Sequence, residues 1–113
     1  MSPNRETTKV AKRIDLGAGM IFDSISAAKL HFDPMRTQGP LHVHLEKGQF
    51  LELRKLYEEY CRKTQYSLVS PVVAFCPTMI RKSGGYTRCI GVGFQDGSAT
   101  TFSLDKALSA VAV

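Results

Sequence analysis

The chain has 113 residues, 43% of them hydrophobic and 22% charged, which allows one domain whose core needs no staple. Three cysteines with no C-x-x-C pair argue against a disulfide framework, and no run approaches the roughly 18 apolar residues of a membrane span. Lys and Arg outnumber Asp and Glu by 15 to 10, a net charge of +5 that draws polyanions by long-range attraction without specifying a function.

Residues 1 to 17 are polar and basic, with Arg5, Lys9, Lys12 and Arg13 leading into Gly17 and Gly19. They read as a mobile basic arm without the apolar stretch of a secretory signal, and the domain is expected from residue 18 to 113. MIFDS (20 to 24) predicts a short strand, and Asp23 or Ser24 can cap a helix that sets Ile25, Ala28 and Phe32 on one face. Pro34 lacks an N–H and clashes with the preceding turn, so that helix is expected to end or kink near Asp33.

LHVHL (41 to 45) alternates strictly, which predicts a strand, an extended segment or the lead-in to a helix, with His42 and His44 on one face. From Lys47 to Lys63 the period changes to 3.6, with Phe50, Leu53, Leu56, Tyr57, Tyr60 and Cys61 forming an apolar stripe beside a mixed-charge face. SLVSPVVAFCP (67 to 77) predicts a buried strand preceded or interrupted by Pro71, and MIRKSGG turns the chain.

From Tyr86 to Phe94 alternation resumes, with the small residues Gly91 and Gly93 on the face expected to take a closely packed helix. Asp96-Gly97 predicts a two-residue hairpin turn into ATTFSL, and Ser103 or Asp105 can cap a last helix from Leu104. The order of elements gives an α+β fold: a small, mainly antiparallel sheet with two principal helices on one face and a short C-terminal helix.

No spacing amounts to a catalytic signature: P-loop, GxGxxG, HExxH and GxSxG are all absent. Glu58 and Glu59 are adjacent on a helix and point about 100° apart, which does not make a paired-carboxylate site. Cys76 and Cys89 lie in apolar runs, where a packed thiol is the simpler reading than a nucleophile. His42-x-His44 with His31 or Asp33 would be needed for a metal-dependent nuclease or hydrolase, and two histidines lack a dependable third ligand. The remaining constellation is basic and aromatic: Arg81 and Lys82 in a Gly-rich turn, then Tyr86 and Arg88 on the next strand. Such a surface neutralises phosphates while a flat group stacks a base. The alternative reading puts Tyr86 in the core and Arg88 at a protected sheet edge.

The stretches FDSISAAKLHF (22 to 32), FLELRKLYEEY (50 to 60), YTRCIGVGF (86 to 94), DGS (96 to 98) and FSLDKAL (102 to 108) resemble, in order and spacing, the domain of the "defective chloroplasts and leaves" (DCL) family. The resemblance implies an RNA-linked module: similar proteins occur in plastid ribosomal RNA maturation, at the tail of plant-specific RNA polymerase large subunits, and as small bacterial or phage proteins. It carries over Arg88, Cys89, Asp96, Gly97, Ser98, Phe102 and Ser103. It departs after the second helix, where the family's His-Pro pair is replaced by CRKTQYSLVSP, and before the Arg-Cys strand, where VAFCPTMIRKSGG stands for a glycine-rich stretch.

The sequence thus reads as a cytoplasmic, non-catalytic module without cofactor or metal, binding nucleic acid, RNA before DNA, through Arg81, Lys82, Tyr86, Arg88, Lys9, Lys12 and Arg13. The alternative is a protein-interaction module, docking a protein partner or a second copy through the apolar ALSAVAV run, and no membrane partner is implied.

Overall fold

A computed structural model describes residues 13–68 and 70–113. In chain order the elements are β1 (Ile14–Asp15), β2 (Ile21–Phe22), α1 (Ile25–Thr37), α2 (Lys47–Lys63), β3 (Val72–Lys82), β4 (Gly85–Phe94), β5 (Ala99–Phe102) and α3 (Leu104–Val111). The fold is α+β: β1 and β2 form a small antiparallel pair, and β3, β4 and β5 form an antiparallel meander in that spatial order.

Residues 13 to 17, expected in the arm, are built into the domain instead. Ile14 is completely buried, and Arg13 exchanges two backbone hydrogen bonds with Val113, its N–H donating to the Val113 carbonyl at 3.2 Å and its carbonyl accepting at 2.9 Å. One buried isoleucine is enough to pin the segment, and composition alone hides it.

Ser24 caps α1, its Oγ accepting from the Ala27 N–H at 3.0 Å. The helix does not stop at Asp33 but runs through Pro34 to Thr37. Phe32 and Met35, buried on either side of the proline, offset its cost of about 3 kcal/mol, and the Gln38 N–H closes the end on the Pro34 carbonyl at 2.9 Å. In α2 the 3.6 period is realised as read, burying Leu53, Leu56, Tyr57 and Cys61.

The 41–45 segment is not a regular strand. His42 takes a positive φ of 66°, and the chain attaches to β3 at two points: His42 N–H to the Pro77 carbonyl at 2.7 Å and Leu45 N–H to the Phe75 carbonyl at 2.8 Å. This breaks the alternation, leaving Val43 53% exposed, while covering part of the outer edge of β3.

In the meander, Phe75, Val92 and Thr100 share one face, as do Pro77, Ile90 and Phe102. The helices lie on that face: Phe75 sits among Phe50, Tyr57 and Phe102 with ring centroids 5.5, 6.0 and 6.3 Å away. The glycine face is therefore opposite to the helices, a correction to the expected close helix packing. A Cβ on Gly91 would lie 3.3 Å from the Cys76 Sγ of the neighbouring strand, so the glycine makes room for a cross-strand thiol. The β4–β5 loop has four residues, Gln95 to Ser98, rather than two. Phe94 N–H bonds the Ser98 carbonyl, Gly97 N–H bonds the Phe94 carbonyl, and Gly97 supplies the positive φ of 91° that such a loop requires.

Ser103 caps α3 by accepting from the Lys106 N–H at 3.2 Å, and Leu104, Ala107, Leu108 and Val111 are buried. Most of the apolar residues in the C-terminal run thus belong to this chain's own core. Phe75→Ala should cost about 3–5 kcal/mol in urea unfolding, because it empties the centre of the aromatic cluster.

Candidate functional site

β3 and β4 are long and β5 is short. β5 pairs only with Ile90 to Gly93, so Gly85 to Cys89 of β4 have β3 on one side and, among the described residues, no strand on the other. The far end of the β3–β4 hairpin therefore overhangs the sheet. Its last pair is Lys82 with Gly85, closed by Ser83 and Gly84, the latter at φ 87°.

Every residue from Arg81 to Tyr86 is exposed, and Tyr86 is 65% exposed, so its ring is not part of the core. Arg81 and Tyr86 are direct cross-strand partners, with the Arg81 guanidinium 5.9 Å from the ring centroid. At this exposure such a contact contributes about 0.5–1 kcal/mol and orients the arginine more than it stabilises the fold. Among the described residues neither Arg81 nor Lys82 meets a carboxylate. The ion pairs join Lys29 to Asp105, His31 to Glu52, Arg36 to Asp33, Arg54 to Glu58, and Arg62 to Glu59.

Arg88 is engaged differently. Half-buried, it donates from one Nη1 to the Gly39 carbonyl at 2.8 Å and the Arg36 carbonyl at 3.3 Å, closing the end of α1. Arg36 replies, its Nη1 donating to the Arg88 carbonyl at 3.1 Å while its Nε donates to Asp33 at 2.8 Å. The two guanidiniums thus clamp β4 to α1 through each other's backbone. Arg13 is exposed beside Val113, and Lys9 and Lys12 lie outside the described residues.

The histidines are not brought together. His31 Nε2 is 2.8 Å from Glu52 and its ring packs on Phe22 and Phe32, whereas His42 Nδ1 is 3.4 Å from the Thr78 hydroxyl. Among the described residues no three His, Cys, Asp or Glu side chains are placed to hold a metal. Burial pushes the Cys76 and Cys89 thiols up, for Cys89 against the opposing Thr101 hydroxyl, which makes both poor nucleophiles at neutral pH.

Arg36 is the residue that reading the sequence missed. It lies 52 positions from Arg88, and no local pattern marks the pair. Its place in the last turn of α1, before a Gly-Pro loop, is the only hint.

No protein-family model matches the chain, and no curated protein matches it. The solution NMR structure of an uncharacterized protein from Rhodospirillum rubrum is similar to it, with a TM-score of 0.68, 21% identity, and 86% of this chain and 88% of that chain covered. That likeness establishes a shared fold.

Arg88→Lys should destabilise by about 1–3 kcal/mol in urea unfolding, because the carbonyls of Arg36 and Gly39 lose a fixed donor. Arg81→Ala, at an exposed position, should stay within about 0.5 kcal/mol of the wild type.

Proposed function

We propose that this chain is a small non-catalytic nucleic-acid-binding module, directed to RNA before DNA, that meets phosphates with the overhanging end of its β3–β4 hairpin. The observation that supports it is the exposed end of the hairpin, where Arg81 pairs across the strands with the exposed ring of Tyr86 and Lys82 follows on the other face, with no carboxylate among the described residues to neutralise either cation.

The cations displace counterions from the phosphate backbone, which gives affinity and salt dependence. Tyr86 offers a π-face to a base, and its contact with Arg81 keeps the two groups on one side of the hairpin. Arg88 acts by positioning, since its guanidinium holds the base of the hairpin to α1. Lys9, Lys12 and Arg13 add a separate set of cations. The resemblance to the DCL family points the same way, towards an RNA-linked role. Three free cysteines, two of them buried, suit a reducing cytoplasm, and no helix among the described residues is long and apolar enough to cross a membrane.

The test is fluorescence anisotropy with labelled single-stranded RNA, duplex RNA and duplex DNA at several salt concentrations. The double variant Arg81→Ala, Lys82→Ala should bind more weakly, and its log K against log salt slope for single strands should fall by about 1.4, two contacts at about 0.7 each. An unchanged slope and affinity would remove the hairpin from the interface. Absence of binding by the wild type at low salt would overturn the function itself.

A further inference from the structure

The notch left by the short β5 is not empty surface. Between the unpaired edge of β4, the β5–α3 corner and the C-terminal end of α2 lies a cleft of about 720 Å³, within the size range of small-ligand sites. Its lining is mostly basic: Lys82, Arg88, Lys106 and Arg36, the last paired with Asp33 at 2.8 Å, contribute to it, and Asp105 is the one acid among the described lining residues. Asp105 is already paired, at 2.7 Å, with Lys29.

Aromatic rings form another wall. Tyr60 and Tyr66 both line the cleft, and Tyr66 is 58% exposed. The end of α2 puts Tyr66 there: Tyr66 N–H bonds the Cys61 carbonyl at 2.8 Å, Gln65 N–H bonds the Arg62 carbonyl at 3.3 Å, and Gln65 takes a positive φ of 58°. This hydrogen-bond pair folds the chain back over the last helical turn. The hydroxyls of Thr64, Thr101 and Ser103 also line the cleft, Thr64 donating to the Tyr60 carbonyl at 2.8 Å and Ser103 accepting from the Lys106 N–H, which leaves Thr64 an acceptor and Ser103 a donor.

We propose that the cleft receives one unstacked nucleotide of a single strand, its base against Tyr66 and its flanking phosphates held by Lys82 and Lys106. The inference rests on the nucleic-acid reading above and names the form of the ligand. Lys82 belongs both to the hairpin turn and to the cleft, so a strand crossing the hairpin is led into the notch. A base enters such a cleft only when it is out of its stack, which a single strand permits and an intact duplex opposes. Flat rings, hydroxyls and cations together match the three parts of a nucleotide.

The experiment compares a labelled ten-nucleotide single-stranded RNA, the same sequence in DNA, and a duplex RNA, with adenosine monophosphate as competitor, on the full chain. Tyr66→Ala should weaken single-strand binding about tenfold, within the range that loss of one stacking contact gives, while Tyr66→Phe keeps it and duplex binding stays as in the wild type. Lys106→Gln should weaken single-strand binding and reduce its salt slope by about 0.7. The large exposure of Tyr66 lets these variants fold, which circular dichroism verifies. Wild-type single-strand affinity in Tyr66→Ala, with loss only in the Arg81→Ala, Lys82→Ala variant, overturns the cleft and leaves the hairpin reading standing. Equal losses for duplex and single strand, or complete displacement by adenosine monophosphate at micromolar concentration, also overturn the strand assignment. No binding of any nucleic acid by the wild type removes both readings.

Discussion

β4 has ten residues and β5 has four, and the way the molecule handles that mismatch shapes most of what lies around it. A strand edge left without a partner exposes backbone groups that water or another chain must satisfy. Here a side chain takes part of the work: the Arg36 guanidinium bonds the Arg88 carbonyl just beyond the last residue that β5 reaches. Where β5 stops, the chain turns at Ser103 into α3, which packs on α1 and α2 and carries Lys106 to the mouth of the notch. Overhanging hairpin, clamp and cleft are thus consequences of one unequal pairing.

Charge is distributed with the same inequality. From Tyr60 to Gln95 the chain has no Asp or Glu, yet Arg62, Lys63, Arg81, Lys82 and Arg88 fall in that stretch. Half of the ten acids lie in the helices, where Glu58 and Glu59 pair with Arg54 and Arg62 within α2. Those exposed pairs add little stability, but they give helical cations a carboxylate neighbour, which Arg81 and Lys82 lack among the described residues.

Some of this was legible in the sequence. The Lys47 to Lys63 helix follows from unbroken periodicity, and the caps at Ser24 and Ser103 follow from hydroxyls placed before apolar runs, because these are local physics. Pro34 does not end its helix, because Phe32 and Met35 are buried around it, and only the fold says so. Of the readings open for 41 to 45, the lead-in to a helix holds and the regular strand does not, because a positive φ at His42 lets the segment hook onto β3 on its way to α2. The glycines of β4 signalled a close approach correctly but not by what, since a neighbouring strand's thiol and a packed helix ask for the same missing Cβ. Of the site, Arg81, Lys82 and Tyr86 could be read as a basic aromatic turn, whereas Tyr66 and Lys106 reach the cleft through long-range packing that no spacing encodes.

The Arg36 and Arg88 clamp shows why a structural residue and a charged surface need not be separate. Two like charges held side by side repel, and an apolar pair would avoid that cost. What an apolar pair cannot do is donate to three backbone carbonyls at the end of a helix and beside an open strand edge. Arginine also has five N–H donors in a planar fork. The bonds described for Arg88 use one nitrogen, and those for Arg36 use two, one of them on Asp33. The clamp therefore fixes the angle of the hairpin while leaving positive charge on the cleft wall. Replacing either arginine by a neutral residue would change geometry and electrostatics together, which is why the exposed Arg81, free of that double role, is the better probe of binding alone.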